Sequence, residues 1–178
     1  MEAKSKTRTE QILKVMHVVA WIVVIGLVAE AGAILISYSV SYFNSEGAKN
    51  LYMGLNLYKL RKLNFWYYTQ YVSFLIALPL MKAFMVFLVT KTLSKVNLQN
   101  PFTMEVAHIL KRISYVLVEI WVVSIISSSH SKWLLNLTGE QLLAKPEGSF
   151  LFVAGLVFII SQIFKRGVEL QSENELTV

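Results

Sequence analysis

The chain has 178 residues, 55% of them apolar and only 16% charged, with a formal net charge of +6. Soluble domains carry about 25% charged residues. The low charge and the mean hydropathy of +0.53 therefore point to a membrane protein and exclude a disordered chain. Cysteine is absent, which excludes a disulfide framework, a thiolate metal site and a cysteine nucleophile.

A bilayer core about 30 Å thick is crossed by roughly 20 helical residues. Four stretches reach that length. Residues 15–39 are interrupted only by Glu30, and residues 71–93 contain Pro79 and Lys82. Residues 109–129 carry Lys111 and Arg112 at their mouth and Glu119 near their middle. Residues 147–165 open just after Pro146, which suits a first turn, and close on Lys165 and Arg166, which can snorkel. The expected fold is an all-α integral membrane protein. It is a single domain over residues 1–178, a four-transmembrane-helix bundle with a tail at 166–178. The first stretch is too long for a signal-peptide core, and no small-x-small cleavage site follows it. Thr7-Arg8-Thr9-Glu10 fits a capping box that would start its helix two turns earlier.

Orientation follows from lysine and arginine. Lys4, Lys6, Arg8, Lys14, Lys91, Lys95, Lys111, Arg112, Lys165 and Arg166 lie on one side; Lys49, Lys59, Arg61, Lys62, Lys132 and Lys145 lie on the other. Ten against six places both termini in the cytoplasm. These flanking residues account for the basic balance, and no basic patch on a soluble face suggests direct nucleic-acid binding.

Between the spans, residues 44–66 and 130–148 form two extracytoplasmic segments that are expected to pack together as a small external cap. Leu51, Met53, Leu55 and Leu57 alternate as in a strand, while Leu60 and Leu63 take helical spacing. Phe65, Trp66, Tyr67, Tyr68 and Tyr71 read as an aromatic belt at the lipid boundary. In the inner loop Asn100 can cap a helix, Pro101 suits its first position and Glu105 its first turn.

Ionisable residues at membrane depth cost at least about 2.5–3.5 kcal/mol each on insertion scales, so each asks for a partner. Lys82 and Glu119 sit at the centres of their stretches, and Glu30 lies about 4.5 Å from its own centre, so the three share nearly one depth. Glu105, His108, Arg112, Tyr115 and Glu119 form one helical face, as do Gly26, Glu30, Ala33 and Ser37. Gly148, Gly155, Gln162 and Glu169 recur every seven residues. These polar or small stripes are expected to face the bundle interior, making a buried polar cluster of Glu30, Lys82, Glu119 and Gln162. Such a cluster serves either as an ion-pair staple that fixes register or as a ligand pocket or proton relay. His17, His108 and His130 read as interfacial residues and not as metal ligands. Ser127, Ser128 and Ser129 find no histidine and acid at a shared depth. No catalytic residue and no cofactor is assigned.

The end of the chain turns from basic to acidic, with Leu170, Leu176 and Val178 as apolar exceptions. Asn100-Pro101-Phe102-Thr103, then residues 150–165 running into Arg166-Gly167-Val168-Glu169-Leu170-Gln171, then Glu173-Asn174-Glu175-Leu176-Thr177-Val178 form a pattern. It resembles the bacterial membrane family catalogued as domain of unknown function 2975. The resemblance implies a four-helix protein of the bacterial inner membrane, often encoded beside a small lambda-repressor-like helix-turn-helix regulator. The first reading is a regulatory or sensor protein without enzymatic activity. It would meet that regulator through Asn100, Pro101, Phe102, Thr103, Glu169, Leu170, Glu173, Glu175, Leu176 and Val178. Acidic side chains there suit the basic face of a helix-turn-helix protein. The alternative is a small transporter or ion-conducting protein built on the Glu/Lys cluster. A homo-oligomer fits either.

Overall fold

A computed structural model describes residues 8–52, 54–96, 98, 100–139, 142 and 148–175, with side chains described as far as residue 173 at the last helix. Among the described residues the elements are α1 (Arg8–Phe43), a 3₁₀ turn (Ser45–Lys49), α2 (Tyr58–Leu63), α3 (Phe65–Lys95), α4 (Met104–Thr138) and α5 (Ser149–Glu175), with no strand. Among the described residues three helices are long and apolar enough to cross a membrane: α1, α3 and the Ser149–Glu173 part of α5. The all-helical expectation therefore holds among the described residues, and the apolar run before Lys165 is part of a long helix.

The helices overrun their apolar stretches because their ends are capped elsewhere. Asn64 has extended backbone and ends α2 by donating its N–H to the Leu60 carbonyl. Its Oδ1 then accepts from the N–H groups of Trp66 (2.8 Å) and Tyr67 (3.3 Å), which starts α3. Helix α4 begins at Met104, three residues after Pro101. The cap is Thr103, whose Oγ1 accepts from the Val106 N–H at 3.3 Å and whose carbonyl accepts from Ala107 at 3.1 Å. The expectation of a cap at Asn100 is corrected accordingly: residues 100–103 are loop, and only Glu105 lies in the first turn as expected. At the far end α4 runs nine residues past Ser129. It stops where Gly139 adopts φ +68° and donates to the Leu135 carbonyl at 2.8 Å, a left-handed cap that glycine adopts without strain. The capping box at Thr7 lies outside the described residues.

The chain divides into two compact units. One comprises Ile25–Ala83 and Glu119–Gly148. Its core joins Ile34 of α1, Ala48, Leu51, Leu57 and Leu60 of the connecting segment, Tyr68, Tyr71 and Val72 of α3, and Leu134 of α4. The alternating leucines are not a strand. Leu51 donates to the Leu55 carbonyl (2.9 Å) and Leu57 to the Ala48 carbonyl (2.8 Å), around a turn in which Gly54 has φ +79°. Both Leu51 and Leu57 are thereby buried, so the alternation reflects a compact turn. The aromatic belt also divides. Trp66 is exposed, whereas Tyr68 and Tyr71 are fully buried, with Tyr68 stacked on Tyr38 and hydrogen-bonded to Ser41.

The other unit comprises Met1–Val24, Phe84–Val118 and Ser149–Val178. Here α4 buries Val106, Ala107, Ile109, Ile113, Ser114, Val116 and Leu117, while among its described residues α5 buries only Ala154 and Ser161. Trp21 of α1 meets Phe87 of α3 edge-on at 6.1 Å, and the Arg112 guanidinium lies 5.8 Å from the Phe84 ring centre.

Candidate functional site

The two segments that carry the family resemblance touch each other. Phe102 leaves the loop ahead of α4 and packs edge-on against Phe164 of α5, ring centres 5.2 Å apart. It also lies against the backbone of Gly167, where a Cβ would stand 2.6 Å from Phe102 Cδ1 and 2.7 Å from Cγ. Glycine is needed here because any side chain would displace the ring. Around this contact, Lys95 at the end of α3 pairs with Glu105 in the first turn of α4 at 3.2 Å. Asn100 is exposed, and Pro101, Phe102 and Thr103 are half-buried.

Beyond Gly167 the helix continues without a break to Glu175. Arg166 holds Glu169 at 3.0 Å and lies 3.7 Å from Glu173, so part of the tail's acidity is compensated within the helix. Leu170 is 47% exposed. The side chain of Glu175 and the whole of Leu176 and Val178 lie outside the described residues.

Burial divides the residues of the expected polar cluster. Glu30 and Lys82 are half-buried, but Glu119 and Gln162 are exposed. Glu30, Lys82 and Glu119 belong to one unit and Gln162 to the other, where its amide donates to Ser161 Oγ at 3.2 Å. The stripe Glu105, His108, Arg112, Tyr115 and Glu119 is the exposed face of α4 throughout, not its inner face. Gly26, Gly148 and Gly155 likewise have open space where a Cβ would stand.

What α4 turns inward instead is Ser114, Ser124, Ser127, Ser128 and Ser131, interleaved with valine, isoleucine and leucine. The reason is cost. A serine is small enough for close helix contact and can satisfy its hydroxyl on its own helix. Ser114 donates to the Lys111 carbonyl at 2.7 Å and Ser131 to the Ser127 carbonyl at 2.8 Å. A carboxylate has no such local solution. The recurrence of serine at steps of three and four was the signal for the inner face.

Of the histidines, His17 Nε2 accepts from the Trp21 indole N–H at 3.2 Å, and His130 pairs with Gln70 Oε1 at 3.1 Å beside Phe74 and Trp133. His108 is exposed. No group of three or more potential metal ligands occurs among the described residues.

These features define an all-helical protein of long apolar helices, with its distinguishing residues gathered where the Asn-Pro-Phe-Thr loop meets the last helix. The family model described as "Protein of unknown function (DUF2975)" matches residues 65–178, from the first residue of α3 to the end of the chain. The chain belongs to that family. No curated protein and no solved structure matches it.

Proposed function

We propose that the protein is a four-span protein of the bacterial inner membrane with both termini in the cytoplasm, and that it holds a cytosolic helix-turn-helix regulator at the membrane. In this reading α4 is the remaining span, its serine-rich face turned to the other helices. Residues 44–66 and 130–148 form the external cap. The docking surface is the Asn100–Thr103 loop together with α5 from Glu169 onward. Leu170 carries the proposal: it stands past the Lys165-Arg166 boundary of the apolar run, yet about half of it is exposed. An apolar side chain on a solvated helix suits a protein contact better than water. Phe102 against Gly167 supports the same surface, because it ties the loop to the helix. Arg166 already engages Glu169 and Glu173, so Leu170 supplies contact area and the carboxylates supply orientation. The ion-conducting alternative has less support, because Glu119 turns to the exposed face of α4.

The test is deletion of residues 169–178, with the neighbouring regulator followed by membrane fractionation and by its target transcript. Loss of membrane-bound regulator with a changed transcript is expected. If both stay unchanged while the truncated protein accumulates, the docking site is elsewhere. A phosphatase reporter fused to the carboxy terminus, active only outside the cytoplasm, should be silent; strong activity refutes the orientation.

A further inference from the structure

Between α4 and α5 lies a cavity of about 150 Å³ lined by His108, Lys111, Ser161, Gln162, Lys165 and Ala107. It is well below the roughly 300–1,000 Å³ of a drug-sized ligand site, so it suits one small group. Its lining contains two lysines and no carboxylate. Glu105 of α4 pairs with Lys95, and Glu169 of α5 with Arg166. Neither Lys111 nor Lys165 forms an ion pair among the described residues; Lys111 rests 5.6 Å from the Tyr115 ring centre.

Two basic side chains, one from each helix, thus line one small cavity that no carboxylate lines. Ser161 donates to the Phe158 carbonyl at 2.6 Å and accepts from Gln162, which fixes the wall and leaves one amide N–H of Gln162 for a ligand. A wider groove of about 630 Å³ between the ends of α1 and α3 also holds two lysines, Lys14 and Lys95. That groove includes Glu10, and its Lys95 is already paired with Glu105, so it lacks the same imbalance.

We infer that the α4–α5 cavity is an anion site that takes a phosphate group, held by Lys111 and Lys165 and hydrogen-bonded by the Gln162 amide. Lys165 directly follows the apolar run of residues 150–164, and Lys111 stands at the mouth of that of α4. In the membrane reading this is the depth of a phospholipid headgroup. The phosphate could equally be free in solution, and the two sources are separable.

The full chain is reconstituted into phosphatidylcholine nanodiscs containing a minor fraction of phosphatidylglycerol, and the lipid it retains on release is counted by native mass spectrometry. Selective retention of phosphatidylglycerol is expected. Lys111→Gln with Lys165→Gln should cut it about thirty-fold, since each lysine near an anionic surface contributes a five- to six-fold preference. Lys111→Arg with Lys165→Arg should preserve it, as should Lys62→Gln with Lys132→Gln elsewhere on the chain. Gln162→Glu, at an exposed position, should weaken retention without removing either lysine, which covers a double variant that fails to fold. In a second arm, labelled inorganic phosphate is dialysed against the protein in neutral detergent. Lysine-dependent phosphate binding without lysine-dependent lipid retention would identify free phosphate as the ligand. If neither depends on Lys111, Lys165 or Gln162, the inference is wrong.

Discussion

Replacing Gly167 with alanine tests the contact between the loop and the last helix, and its sign is set by two opposing effects. Alanine is the better helix former by about 0.8–1.0 kcal/mol, so on an isolated helix the change would stabilise. Here the new Cβ would stand 2.7 Å from Phe102 Cγ and 2.6 Å from Cδ1, whereas ordinary contact begins at 3.4 Å. Rotation about the ring's own axis leaves Cγ where it is, so the whole ring has to retreat. That withdrawal erodes the edge-on contact with Phe164, worth about 0.5–1.5 kcal/mol, as part of a total overpacking cost of about 1–3 kcal/mol. The expected net loss for Gly167→Ala is therefore about 0–2 kcal/mol. In a Phe102→Ala background the clash is gone, and the same substitution should become stabilising by up to about 1 kcal/mol. The coupling, about 1–3 kcal/mol, is measured by denaturant unfolding of the four proteins in one detergent, followed by helical circular dichroism. Equal effects of Gly167→Ala in both backgrounds would mean that Phe102 does not lie on this glycine.

Leu134→Ala should cost about 2–5 kcal/mol in the same unfolding assay, because Leu134 is fully buried where α4 meets the core of its unit; a loss under about 1 kcal/mol would contradict that core. The Glu46 carboxyl is held below its ordinary 4.5 by hydrogen bonds from Lys49 and then Tyr58. Its contribution is therefore present above pH 4.5 and is lost as pH falls through the lowered value, so Glu46→Gln should be slightly less stable than wild type above pH 4.5 and equal to it once the carboxyl is protonated; a difference that persists in acid would contradict this. Lys82→Met should destabilise, and adding Glu30→Gln should recover part of the loss, with a coupling of about 0.5–3 kcal/mol; strictly additive losses would show that the two do not interact.

The long helices were legible because apolar runs of about 20 residues have few other solutions. Their ends were not, since caps depend on single side chains. Thr103 and Asn64 do the capping, and nothing in composition ranks Thr103 above Asn100. The facing of α4 differs from the expectation for a physical reason. Charged stripes are conspicuous at helical spacing, yet a serine that bonds its own helix is cheaper to bury than a glutamate or an arginine. Likewise residue type alone points Tyr68 and Tyr71 to an interface, whereas with Val72 they fill the core, Tyr68 against Ser41 and Tyr38. The loop and tail were recognisable as motifs. That they meet through one ring and one glycine required the geometry.

A single residue, Asn64, both ends α2 and starts α3, and this bears on how the chain tolerates changes in length. Inserting one residue between Asn64 and Tyr68 would turn the rest of α3 by about 100°. Tyr68, Tyr71 and Val72 would leave the core together, and the register of the whole helix down to Lys95 would shift with them. The turn at Gly54 has no such leverage, because it sits between elements joined by short backbone hydrogen bonds. Insertions and deletions among homologues should therefore collect around Gly54 and be purged from the α2–α3 junction, so that the spacing from Asn64 to Tyr71 is more constant than the residues within it.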